Sequence, residues 1–209
     1  MDLRYPLRSL IPSLDADVLE VLASVHVGLG ASQITRRSAR GTRPGITAVL
    51  DRLERHGLVI AEPANQGFLY RLNRSHLLIP PLLAAIDARS TLISKLKVAA
   101  HAAAPAAVHS SVFGSLARDE ATPESDIDVL LVASTERELR QWDDGLASLR
   151  AQAESWTGNR CQTIAISTSH LRRLQNASEP IVKGWLADAV LLNGSPLAKL
   201  LTGRANRRS

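Results

Sequence analysis

Apolar residues at Leu14, Val18, Leu19, Leu22 and Val25 recur at helical spacing, with Asp15 suited to the first turn, so 14–25 reads as an amphipathic helix. ASQITRRSA, 31–39, is a shorter helix with Ser32 as its cap and Ile34 as its buried position, and RGT then breaks it. Ile46, Val49, Leu50 and Leu53 follow i, i+3, i+4, i+7 in a third helix, which starts from the cap Thr42, carries Pro44 in its first turn and exits at Gly57. Its other face holds Arg43, Thr47, Asp51, Arg52 and Arg55. Beyond Gly57, LVIAEP and FLYRL read as two strands joined by a hairpin tip at Asn65, Gln66 and Gly67.

From His76 to Ala104 the pattern is helical apart from Pro80-Pro81, which must break or begin a helix. The alternation then changes. AVHSSVFG (107–114), IDVLLVA (127–133) and CQTIAIS (161–167) read as strands. ERELRQWDDGLASLRAQAESW (136–156) reads as one long helix, and TSHLRRLQN, EPIVKGWLADA and SPLAKLL as shorter ones, with VLLNG a short strand or turn. Three helices and a hairpin, then strands mixed with helices, predict an α+β chain. Its expected parts are a first domain at 1–75, a helical connector at 76–104 and a second domain at 105–209. A chain of 209 residues has room for two such cores.

Composition narrows the classes. A hydrophobic fraction of 45% excludes disorder over most of the chain, and an aromatic fraction of 3% means cores of Leu, Val, Ile and Ala. The single cysteine, Cys161, rules out an internal disulfide and reads as a core residue, and the six histidines form no pair at zinc-ligand spacing. With no signal peptide and no apolar run long enough to span a bilayer, a soluble cytoplasmic protein away from the membrane is expected. Charge is concentrated: between 31 and 74 stand eight arginines (36, 37, 40, 43, 52, 55, 71 and 74) against Asp51, Glu54 and Glu62, an excess equal to the whole chain's net charge of +5. The basic tail GRANRRS, 203–209, reads as frayed.

The candidate chemistry lies in VFGSLARDEATPESDIDVLLV, 112–132. Asp126 and Asp128, two apart on a strand, point to one face, where they can bind one hard cation or two. Magnesium takes oxygen ligands, usually one or two carboxylates plus substrate phosphates. Gly114-Ser115 offers a place for those phosphates, since glycine permits close backbone approach and the serine hydroxyl is a donor.

GSLARDEATPESDID fits the G-S-x10-D-x-D signature of the DNA polymerase β superfamily and resembles the minimal nucleotidyltransferases of bacterial and archaeal toxin-antitoxin loci. Gly114, Ser115, Arg118, Ser125, Asp126, Ile127 and Asp128 all fall where that pattern places them, and the likeness covers about 105–195. It implies a nucleotidyltransferase fold with a mixed sheet, Gly114 and Ser115 on the β- and γ-phosphates of an NTP such as ATP, and Mg²⁺ on the catalytic pair Asp126 and Asp128. It further implies attack of an acceptor hydroxyl on the α-phosphate with loss of pyrophosphate, and phosphate contacts from Arg118 and Lys183. The superfamily's third carboxylate is missing. The matching strand offers Gln162 or Thr163 instead, which leaves a slow enzyme, a base drawn from Glu120 or Glu124, or binding without turnover.

The order of three helices and a hairpin resembles the winged helix-turn-helix domains of bacterial transcription regulators. That likeness implies double-stranded DNA as a partner, with 42–56 in the major groove, Arg43, Thr47, Arg52 and Arg55 toward the DNA, and Arg71 with the Asn65-Gln66 tip on phosphate or minor groove. Three functions compete: a DNA-binding regulator carrying a transferase domain, antitoxin-like and with a toxin or other protein partner; a regulator with a dead transferase fold that senses nucleotide or binds protein; and a small-molecule or RNA nucleotidyltransferase that docks substrate on its winged helix. A homodimer follows from the habit of reading paired half-sites.

Overall fold

A computed structural model of the chain describes residues 1–65 and 67–202. Gln66 and the basic tail therefore lie outside the described residues. The chain divides into two compact units, one of Asp2 and Arg4–Ala88, the other of Met1, Leu3 and the chain from Arg89 on.

In the first unit, helices α1 (Leu14–Ala23), α2 (Ala31–Arg37) and α3 (Arg43–Arg55) bury Val18, Leu19, Leu22, Ile34, Ile46 and Leu50 in one cluster. Thr42 caps α3 by accepting from the Gly45 N–H at 3.4 Å. The cap expected at Ser32 sits two residues earlier, at Gly30, and the Gln33 side chain reaches back to accept from the Gly30 N–H at 2.9 Å. Strand β1 (Leu29–Gly30) pairs antiparallel with β3 (Gly67–Leu72), which pairs with β2 (Val59–Ala64), in the order β1-β3-β2. Helix α4 (Ile79–Ile86) begins at the proline pair and closes the same core through Ile79. A buried carboxylate organises the turn between α2 and α3. Asp17, whose side chain is fully buried, accepts from Arg8 at 2.6 Å and from Arg40 at 2.8 Å, and Arg40 also donates to the Pro12 carbonyl at 2.9 Å.

The second unit is a four-stranded sheet of order β6-β5-β4-β7 with helices on both faces. Its strands are β4 (His109–Phe113), β5 (Ile127–Ala133), β6 (Cys161–Ser167) and β7 (Val190–Gly194). The β5–β6 pair is parallel and the other two are antiparallel, so the sheet is mixed. Ile127, Val129 and Leu131 bury one face beneath α5 (Ala88–Ala103) and α8 (Asp143–Thr157). Leu130 and Val132 bury the other beneath α9 (Thr168–Asn176), α10 (Pro180–Asp188) and α11 (Leu197–Thr202). Asp126 and Asp128 continue that second, even-numbered row. Helix α6 (Gly114–Ala117) follows β4 directly.

The long helix expected over 136–156 is two. Helix α7 (Glu136–Leu139) ends in a tight turn closed by Trp142 N–H to Leu139 O at 3.2 Å, and α8 restarts at Asp143, where two acids favour a helix start. Cys161 is buried, and burial together with the Glu154 charge pushes its thiol up to about 12, which makes it a core residue. No described helix is long and apolar enough to cross a membrane.

His109 is buried in the central strand with Nδ1 2.8 Å from the Ser195 carbonyl and Nε2 2.9 Å from Ser111 Oγ. A carbonyl only accepts, so Nδ1 carries the proton and Nε2 accepts from the serine. Burial lowers the imidazole pKa below 6.5, so below that pH the unfolded chain binds more protons than the folded one. Stability is expected to be full well above pH 6.5 and to fall as pH drops through and below it, with His109→Gln flattening the trend. Denaturant midpoints across that range test it, and a pH-independent wild type counts against the neutral imidazole.

Candidate functional site

The end of β4 and the start of β5 lie side by side because the two strands are antiparallel, with Phe113 opposite Asp128. The chain leaves β4 through Gly114 at φ 72°, where a Cβ would stand 2.6 Å from Asp128 Oδ2. Only glycine accepts both the left-handed backbone and that approach. Alanine at 114 is expected to cost about 1–2 kcal/mol, the left-handed penalty for a residue with a Cβ. Chemical denaturation measures it, and unchanged stability would contradict the geometry.

The loop from α6 to β5 is anchored at its far end. The buried Asn159 amide donates to the Pro123 and Ser125 carbonyls at 3.0 Å each, and the Ser125 hydroxyl accepts from the Thr122 N–H at 2.9 Å. Asp126 and Asp128 are therefore delivered on a fixed chain. Asp128 is half-buried, and burial first, then the charge of Asp126, raises its pKa above 3.8. Two carboxylates held together against their mutual repulsion form an all-oxygen donor pair of the kind a hard divalent cation neutralises.

The third position is settled by register. Gln162 on β6 pairs with Asp128 and its amide donates to Asp126 Oδ2, whereas Thr163 pairs with Val129 and accepts from Arg150 at 2.8 Å. Gln162 is thus the residue at the site. Of the alternative bases, Glu120 is held by Arg118 at 2.8 Å and Glu124 is exposed in the loop. Among the described residues no group of three or more His, Cys, Asp and Glu is placed to hold a metal.

Arg118 follows Gly114 and Ser115 in the turn but points its guanidinium at Glu120 and, at 3.5 Å, at Asp188 at the end of α10. Nothing in the sequence pattern pairs Arg118 with Asp188. Lys183 lies exposed on α10, whose Trp185 meets Phe113 edge-on at 5.9 Å between ring centroids.

In the first unit, Arg43 and Thr47 line a shallow pocket with Ser32, Gln33 and Phe68. The arginine excess is partly spent internally. Arg52 binds Asp15 at 2.6 Å, Arg71 binds Glu62 at 2.8 Å, Arg40 binds Asp17, and Arg74 donates to the Ala23 carbonyl at 3.1 Å. Arg36, Arg37, Arg43 and Arg55 are exposed and enter none of the described ion pairs, and Asn65 is exposed at the hairpin tip.

No curated protein matches the chain. A solved structure of TrmBL2, described as an archaeal chromatin protein that shows a novel mode of DNA binding, matches 78% of this chain and 68% of that one at 15% identity. Its TM-score is 0.28, a likeness too slight to bear on this fold. The family model for the nucleotidyltransferase domain matches residues 107–158, which run from the start of β4 to the end of α8 and include the glycine turn and both aspartates. The chain therefore contains a nucleotidyltransferase domain, and the paired carboxylates under Gly114 lie within it.

Proposed function

We propose that this protein is a DNA-binding regulator whose nucleotidyltransferase domain binds a nucleoside triphosphate with Mg²⁺. The observation that carries the nucleotide half is the close approach of Gly114 to Asp128, the second of the two aspartates. Asp126 and Asp128 hold the cation, Gly114 admits the phosphates to the backbone, and the Ser115 hydroxyl donates to them. When bound, magnesium supplies charge neutralisation at the phosphates. Arg118 exchanges Glu120 and Asp188 for a phosphate, and Lys183 adds charge from α10. ATP is the expected nucleotide, and the cytoplasm the expected compartment.

In the first unit, the winged helix-turn-helix reading rests on helices α1 to α3 followed by the β2–β3 hairpin. Arg43, Thr47 and Arg55 on α3, and Asn65 at the hairpin tip, face the duplex, while Gln66, the other residue expected to meet it, lies outside the described residues. Arg52 and Arg71 join them only by giving up Asp15 and Glu62, which ranks them behind Arg43. A homodimer, and an antitoxin-like pairing with a partner protein, complete this reading.

A second reading is an active enzyme that transfers the nucleotide to an acceptor hydroxyl, with pyrophosphate leaving. A small molecule or RNA docked on the winged helix is one acceptor class. Gln162 weighs against it, since a neutral amide takes no proton from a hydroxyl.

Two titrations test the first reading. ATP with Mg²⁺ should give saturable heat in calorimetry. Duplex DNA affinity should fall about 100-fold between about 50 and 200 mM salt if the four exposed arginines each meet a phosphate. Arg43→Ala should weaken binding more than Arg52→Ala. Affinity that is flat with salt removes the DNA half, and absence of nucleotide heat removes the other.

A further inference from the structure

The third strand of the site carries an amide where the chemistry of hydroxyl transfer asks for an acid. Gln162 is the register partner of Asp128, lies exposed at the surface of β6, and directs its Nε2 donor onto Asp126. A pair of divalent cations clamped across a transferring phosphate needs carboxylates enough to bridge them and still bind each one. The first cation also draws on the phosphate oxygens of the nucleotide, so two carboxylates suffice for it. A second, on the acceptor side of the transferring phosphate, would share fewer of those oxygens and would depend more on the protein for anionic oxygen.

Here that supply is short on two counts. Gln162 brings no charge, and its N–H occupies an oxygen of Asp126 that a second cation would have to share. Thr163 is turned to Arg150, and Glu120 is bound to Arg118. We infer that the neutral residue at 162 makes this a one-cation site: where a second metal would need an acid, Gln162 sets an uncharged amide against Asp126, so that the domain holds a nucleoside triphosphate with a single divalent ion and leaves an acceptor hydroxyl unactivated. This rests on the proposed nucleotide site and specifies it.

The test counts cations. Mn²⁺ is titrated into the full chain with a non-hydrolysable ATP analogue, with free Mn²⁺ read by electron paramagnetic resonance. The wild type should bind about one Mn²⁺ per chain beyond what the analogue binds alone in the solution blank, and Gln162→Glu about two. Gln162→Ala, which removes the donor and adds no acid, should stay at about one. Because Gln162 is exposed, Gln162→Ala should leave the unfolding midpoint nearly unchanged, whereas Gln162→Glu sets a third carboxylate beside Asp126 and Asp128 and should lower it in the absence of cation at neutral pH; that measurement accompanies each count. Two cations in the wild type, or one in Gln162→Glu, overturns the inference while leaving nucleotide binding intact. A wild type that binds no analogue removes the underlying site instead. Pyrophosphate release with ATP, Mg²⁺ and a hydroxyl acceptor is the second readout, expected only in Gln162→Glu.

Discussion

Asparagine at both 126 and 128 is expected to lower the affinity for ATP with Mg²⁺ by at least about 100-fold, since two charge-assisted contacts of about 1.5–3 kcal/mol each are removed. The same change should make the chain more resistant to unfolding. Burial and Asp126 raise the Asp128 pKa, so folding favours the protonated carboxyl, and that contribution is lost as pH rises through the folded-state value. An asparagine stays uncharged and keeps it. Asp128→Asn alone should therefore gain about 0.5–2 kcal/mol near pH 7, the range typical of relieving a functional site, and the gain should vanish below about pH 4. Calorimetric titration and denaturant unfolding at the two pH values read both halves. A variant that binds nucleotide as tightly as the wild type, or unfolds more easily at pH 7, contradicts the account of the pair.

The second large effect lies in the other unit. Asp17→Ala should destabilise it by about 3–5 kcal/mol, the scale for removing one partner of a buried ion pair. Arg8 keeps a cation 3.7 Å from the Tyr5 ring centre but loses its carboxylate, and Arg40 loses the anchor that ties the α2–α3 turn to α1. Urea unfolding should split into two transitions, with the first-unit transition moved to lower urea. A loss under about 1 kcal/mol would show that water screens the trio. Because the turn sets where α3 stands, duplex binding should weaken along with stability.

Helices α1 and α3 were legible because their signals are local: apolar spacing, the Thr42 cap and the Gly57 exit fall within one stretch of chain. Strand β1 was not, since two residues carry no alternation and Leu29 is a strand only through its pairing with Tyr70. The break between α7 and α8 escaped for a related reason, as the apolar pattern runs through Leu139 and Trp142 without a Gly or Pro to mark the turn. At the site, Gly114 and the two aspartates could be read from spacing, because a glycine turn and a D-x-D strand are short-range features. The partners of the charged groups were hidden. Asp15 lies 37 residues from Arg52, and Asp126 lies 36 from Gln162, distances across which only the fold decides who meets whom.

The antiparallel ladder between β4 and β5 has one more consequence. Phe113 faces Asp128 across it, so the spacing between glycine turn and aspartates is measured over one interstrand step rather than along the ten residues of 116–125. Chain length there is free to drift. Doubling such a loop adds only about 0.6 kcal/mol of closure entropy, so insertions after Glu120 leave the glycine turn and the two aspartates in place. A central strand pair that brings the loop's ends together lets the intervening segment change its contacts, and with them the molecules it meets, while the two carboxylates keep their position.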